Sequence, residues 1–197
     1  MNAEAQGDEA RDADDAGVTP AQIESVALPL GIVSYLGSAV VLVPLFAWAA
    51  GATYPDGSAG EVAGVTLVVG AVYSLLGLAI GLPVTAVALR RRLAARGVTR
   101  PAWRAALVHA GIAAAIALPL PVVLVAMTAV QNGEAIPASD LFVVLAFAGP
   151  AIAGAALAGA LVRPAVTHPR ALRIAVVIVV AALALGIVLE ATGAFLS

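Results

Sequence analysis

The chain has 197 residues, of which 62% are hydrophobic and 11% charged, with a formal net charge of −2. A soluble domain carries about 25% charged residues, so this chain lacks the polar side chains to cover a water-facing surface, and lipid takes the place of water around most of it. It contains no Cys and no Lys, which excludes disulfides, thiolate nucleophiles, Cys metal sites, lysine Schiff bases and a P-loop lysine.

Residues 1–19 read as a disordered acidic N-terminal tail: Asp, Glu, Gly and Ala dominate and large apolar residues are almost absent. There is no basic stretch ahead of an apolar run, so the segment does not resemble a secretory signal. A solubilising role is favoured over docking to a basic partner.

Residues 20–197 read as a five-helix transmembrane domain. A spanning helix needs about 20 apolar residues. Five runs meet that length, at about 25–50, 62–89, 105–130, 141–162 and 174–196; the last holds the single acid Glu190. In hydrocarbon the backbone of each must be helical, because only a helix satisfies its own hydrogen bonds within one segment. Thr19 and Pro20 suit the start of the first helix ahead of the bilayer. Pro55-Asp56-Gly57 marks a turn, and Ser58 with Glu61 has capping-box spacing for the second helix. Gly97 suits a C-cap, Thr99 a cap for the third helix and Asn132-Gly133 its end. Asp140 and Thr167 are expected to cap the fourth and fifth.

Ten side chains are basic, and six of them fall in the fifteen positions 90–104: Arg90, Arg91, Arg92, Arg96, Arg100 and Arg104. Short Arg-rich loops stay cytoplasmic. With five spans, the loops at 90–104 and 163–173 share one side. Together they hold nine of the ten arginines, the remaining three being Arg163, Arg170 and Arg173. The loops at 51–61 and 131–140 hold none. This partition predicts an all-α polytopic bundle with the N-terminus inside and the C-terminus outside, in the cell membrane. Trp103 on the inner side, and Trp48, Tyr54 and Phe142 on the outer side, fit an interfacial aromatic belt. The topological role of the arginines comes first, contact with anionic lipid headgroups is an addition to it, and nucleic acid is set aside because only Trp103 is at hand to stack on a base.

Charge inside a bilayer marks function, and the centres of these runs have none. His109 lies five residues past Arg104, about 7.5 Å deep at 1.5 Å per residue, and reads as an interfacial or packing histidine. Glu190, 17 residues past Arg173, is about 25 Å along its helix, near the outer headgroups. Uncharged polar groups do reach the middle: Tyr35 and Tyr73, at matching depths on antiparallel neighbours, with Ser34, Ser38 and Ser74 beside them. The first reading is that they join helices one and two; the second is a site for a small uncharged ligand. Pro119, Pro121 and Pro150 lie in the third and fourth runs. Each removes an N–H and leaves the carbonyl four residues back without its ladder donor. Such breaks line transporter sites, but ordinary kinks are favoured because no ionisable group converges on them. The ligand-site alternative is therefore Tyr35, Tyr73, Ser74, Pro119, Pro121 and Pro150.

Small residues show how the helices touch. Gly70, Ser74, Gly77 and Gly81 recur at three- and four-residue spacing, and Ala151, Ala155 and Gly159 form a second face with Gly154 and Ala158 beside it. Without a hydrophobic drive between helices in lipid, close backbone approach supplies the contact, whether to helices of this chain or to other membrane helices. No phosphate loop, HExxH, GxSxG or central carboxylate pair is present, and the tetrapeptide at 27–30 that recurs at 117–120 does not extend into a repeat. The expectation is a membrane protein without catalytic activity, cofactor or metal, acting as an accessory or structural bundle; the alternative is a small transporter or channel-like protein.

Overall fold

The computed structural model describes residues 20–54, 58–96, 102–133 and 135–191; the acidic tail, Gly97, Thr99 and Arg100 lie outside them. Among the described residues every regular element is an α-helix: α1 (Pro20–Ala52), α2 (Ala59–Arg96), α3 (Ala102–Ala117), α4 (Pro119–Asn132), α5 (Ala138–Thr167) and α6 (Pro169–Ala191). Three stretches are long and apolar enough to cross a membrane: Ser25–Ala52 in α1, Ala59–Gly77 in α2 and Ala138–Val162 in α5. The pair α3 and α4 meets the same test when taken together.

The third apolar run is therefore not the continuous helix its composition predicts. It breaks at Leu118, and α4 leaves α3 at 42°. The cause is local. Pro119 and Pro121 both lack an N–H, so two ladder bonds onto α3 are lost within three residues. Pro119 becomes the first residue of α4, the helix position that tolerates it best. Single prolines act differently: Pro29 and Pro44 sit inside a continuous α1, and Pro150 and Pro164 inside a continuous α5.

The boundaries follow the local chemistry with two corrections. α2 begins directly after Ser58, and α4 ends at Gly133, whose φ of 66° lets its N–H turn back onto the carbonyls of Ala129 and Val130; Thr19 and Pro55-Asp56-Gly57 lie outside the described residues. Asp140 does not cap α5. Pro137 occupies that position without a side-chain cap, and Asp140 lies in the first turn, where a carboxylate complements the helix dipole. Thr167 does not cap α6 either. It is the last residue of α5, its hydroxyl within 3.2 Å of the Pro164 carbonyl, and only His168 separates α5 from α6. The connection between α5 and α6 accordingly has little loop. Arg90, Arg91, Arg92 and Arg96 ride on the end of α2, Arg104 on α3, Arg163 on α5, and Arg170 and Arg173 on α6.

α5 is the centre of the bundle. It touches all five other helices, its largest contact being with α1, followed by α3. α1 also lies along α2. The reason is the small side chains of α5: Ala146, Ala148, Gly154, Ala158, Gly159 and Ala165 are all buried, and they let neighbouring backbones come close. A Cβ built on Gly154 would lie 2.6 Å from the Tyr35 Cα, closer than real atoms approach. Leu30 of α1 packs with Ala158, Val162 and Ala165 of α5, and Leu172 of α6 closes the cluster. The outward faces are apolar: Val41, Val65, Val72, Leu107, Ile174 and Val177 are exposed, as are Trp48 and Trp103 near the helix ends. An apolar surface of that extent belongs against lipid or another apolar partner.

Gly154→Leu is expected to destabilise the bundle by ~1–3 kcal/mol through overpacking against α1. Gly31→Ala, whose added methyl meets nothing within 4 Å, is expected to be neutral or slightly stabilising. Unfolding of both variants in a graded denaturing-detergent titration checks the contrast.

Candidate functional site

The middle of the bundle is built around two tyrosines that point to different helices. The Tyr35 hydroxyl donates to the main-chain carbonyl of Ser74 at 2.8 Å, joining α1 to α2. This places the two tyrosines at the matching depth expected of antiparallel neighbours, because Ser74 directly follows Tyr73. Gly77 makes the contact possible: a Cβ there would lie 2.5 Å from the Tyr35 oxygen. On the opposite side, Gly154 of α5 lies against the Tyr35 main chain. Tyr35 is thus seated between two glycines on two different helices.

Tyr73 turns away from α1. Its hydroxyl donates to the Ala117 carbonyl at 3.4 Å, a long bond that joins α2 to the end of α3. Its ring stacks on Phe147 of α5, with centroids 5.2 Å apart and planes 21° from parallel. Ala117 is four residues before Pro121, so its carbonyl is one that the proline has deprived of its ladder donor. The phenol supplies the missing hydrogen. Pro121 is less than 2% exposed, whereas Pro119 is exposed on the outside of the bend.

Pro150, also less than 2% exposed, raises the same demand in α5. The carbonyl it deprives is that of Ala146, which faces Gly70 of α2: a Cβ on Gly70 would lie 3.8 Å from that oxygen and 3.0 Å from the Val43 side chain. The small-residue face of α2 is therefore occupied within the chain, Gly70 by α1 and α5 and Gly77 by Tyr35. Gly81 continues α2, but its surroundings lie outside the described residues. On α5 the second small face divides. Gly159 receives His109 and the Ala105 carbonyl of α3, while Ala151 and Ala155 are half-buried. His109 Nδ1 lies 2.7 Å from the Ala105 carbonyl. A carbonyl only accepts, so this nitrogen carries the proton.

The serines are less settled. Ser34, Ser38 and Ser74 are all buried, and the hydroxyls of Ser38 and Ser74, with that of Ser139 at the start of α5, have no hydrogen-bond partner among the described residues. Among the described residues no three His, Asp or Glu side chains come together to hold a metal ion. Arg104, Arg170 and Arg173 are exposed, the Arg104 guanidinium 5.1 Å from the Trp103 ring centre. The side chains of Arg90, Arg91, Arg92, Arg96, Arg163 and Glu190 lie outside the described residues.

Sequence reasoning placed the tyrosines and prolines in one layer but missed Phe147 and the Ala117 carbonyl. The second was within reach, since counting four back from Pro121 names it. Phe147 carried no such signal. Chemically the layer is a set of hydrogen-bond donors and close approaches that hold three helices and a break together. Comparison of the chain with family models, with curated proteins and with solved structures finds no match in any of the three, so the reading rests on this geometry.

Gly77→Ala is expected to destabilise the bundle by ~1–3 kcal/mol because its methyl meets the Tyr35 oxygen. In a Tyr35→Phe background, where that oxygen is gone, the same substitution is expected to be nearly neutral. A double-mutant cycle on unfolding free energy measures the coupling; additive effects would show that the two residues do not share this space.

Proposed function

We propose that this chain is a five-span integral protein of the cell membrane, with its N-terminus inside and its C-terminus outside, that acts without catalysis as an accessory or structural helix bundle. The observation that carries this reading is how the two central phenols are used. Each donates to a main-chain carbonyl of a neighbouring helix, which is the work of a group that holds helices together. A substrate-binding phenol keeps its donor for the ligand. The span count is supported by three apolar helices and by the bent pair; the fifth span rests on the apolar run at 174–196, of which α6 describes the part to Ala191. In the pair, 16 and 14 residues give about 24 and 21 Å of helix. At a 42° bend the second piece still moves forward, enough to cross a core of ~30 Å. The orientation is supported by the arginine partition. The partners in this reading are the bilayer, anionic headgroups at the arginine-rich side, and other membrane helices on the exposed apolar faces.

A small transporter or channel-like protein is the second reading. The unpartnered hydroxyls of Ser38 and Ser74 and the broken α3–α4 pair favour it, since interrupted helices with polar groups near the midplane are what transporter sites are made of.

Reporters placed after Gly97 and after Ser197 are expected to be cytoplasmic and extracytoplasmic respectively; the same side for both removes the five-span count, and the opposite result removes the orientation. Vesicles reconstituted with the protein are expected to admit glycerol and urea no faster than protein-free vesicles. Faster entry that is altered by Ser38→Ala or Ser74→Ala would transfer the assignment to the second reading.

A further inference from the structure

We propose that α4 is a hinged arm, pivoting at Leu118 and latched to the bundle by the Tyr73 hydroxyl on the Ala117 carbonyl. The pivot is built from missing bonds. Leu118 still bonds back to Ala114 at 3.0 Å, and Val122 bonds back to Leu118 at 3.1 Å. Between them, Pro119 and Pro121 remove the two donors that would have tied α4 to α3 through the carbonyls of Ala115 and Ala117. A helix interrupted in this way bends at the interruption, and its two halves no longer share one continuous ladder.

The arm itself is lightly held. Its principal contacts are with α5 and the end of α3, and both are small beside those that fasten α1, α2 and α3. Leu120, Val122, Val123, Leu124 and Met127 are exposed, and Val130 near its tip is 81% exposed. A segment with few buried apolar contacts lies at the low end of local stability. Its base is different. Pro121 is buried, and beside it Tyr73 stacks on Phe147 and reaches the Ala117 oxygen. One side chain from α2, braced on α5, thus supplies a donor at the pivot. With that donor engaged the arm is held in the bent position. With it released the Ala117 carbonyl has no donor, and α4 swings about Leu118, uncovering Pro121 and the Tyr73–Phe147 stack. The swing changes the profile that the bundle presents to the membrane without requiring α1, α2 or α5 to separate.

The chain has no Cys, so paired spin labels report on it without background. Labels at Val65→Cys on α2 and Val130→Cys on α4, in lipid nanodiscs, read the arm by electron–electron distance measurement; labels at Val41→Cys and Leu157→Cys read the α1–α5 body. Tyr73→Phe keeps the ring stack and removes only the hydroxyl. It is expected to enlarge the displaced population of the first pair roughly threefold, the equivalent of ~0.6 kcal/mol for one membrane hydrogen bond, and to leave the second pair unchanged. In a Pro121→Ala background, where the Ala117 carbonyl regains its ladder donor, Tyr73→Phe is expected to have no effect. An unchanged first pair after Tyr73→Phe overturns the latch. So does an equal shift of both pairs, which indicates a loosened bundle, or a Tyr73→Phe effect that persists in the Pro121→Ala background.

Discussion

A main-chain carbonyl in hydrocarbon has no water to turn to. Every oxygen that the helical ladder leaves over must find a donor inside the protein or stand at a cost of several kcal/mol. That constraint organises the centre of this molecule. Prolines in α3–α4 and in α5 take donors away, and at the break α2 answers: Tyr73 brings a hydroxyl to Ala117. The same helix accepts the Tyr35 hydroxyl of α1 on its own Ser74 carbonyl. Polar atoms at this level are therefore parts of the frame.

Small residues make that exchange geometrically possible. Gly77 clears space for one phenol, Gly154 lets α1 lie on α5, and Gly159 admits the His109 ring. Each is a place where one methyl group would collide with a neighbouring helix. The helices of this bundle have little shape of their own, being largely Ala, Val and Leu, so the few positions without a side chain decide which faces meet. α5 carries three of them, and through these it meets two neighbours: Gly149 and Gly154 lie against α1, and Gly159 lies against α3.

The helical class, the start of α2 after Ser58 and the end of α4 at Gly133 were legible in the sequence because they depend on local rules: run length, a capping hydroxyl ahead of a first turn, Gly after a last one. The break in the third run was less so. A hydropathy window sees 105–130 as one apolar stretch, while two prolines at 119 and 121 sever it by removing hydrogen bonds, which hydropathy does not measure. Asp140 and Thr167 were misplaced because α5 runs further at both ends than its apolar core does. The destination of each tyrosine was invisible for another reason. Tyr35 and Tyr73 have the same depth and chemistry, and only the packing of α2 against three partners sends Tyr35 from α1 to the Ser74 carbonyl of α2 and Tyr73 from α2 to α3 and α5. The serines show the opposite case: the sequence marks Ser38 and Ser74 as polar groups in an apolar layer, and the folded chain leaves both hydroxyls unmatched.

The position of α5 in the chain has a consequence for biogenesis. Synthesis delivers α1 and α2 first, and these two can close on each other through Tyr35 before anything else is made. α3 follows, yet its main surface of contact is α5, which has not yet been translated. Until residues 138–167 emerge, α3 and α4 lie beside that hairpin with the Tyr73 hydroxyl at their break to hold them to it. Closure of α3 onto the bundle is therefore late, because it waits for the helix that supplies most of its contact.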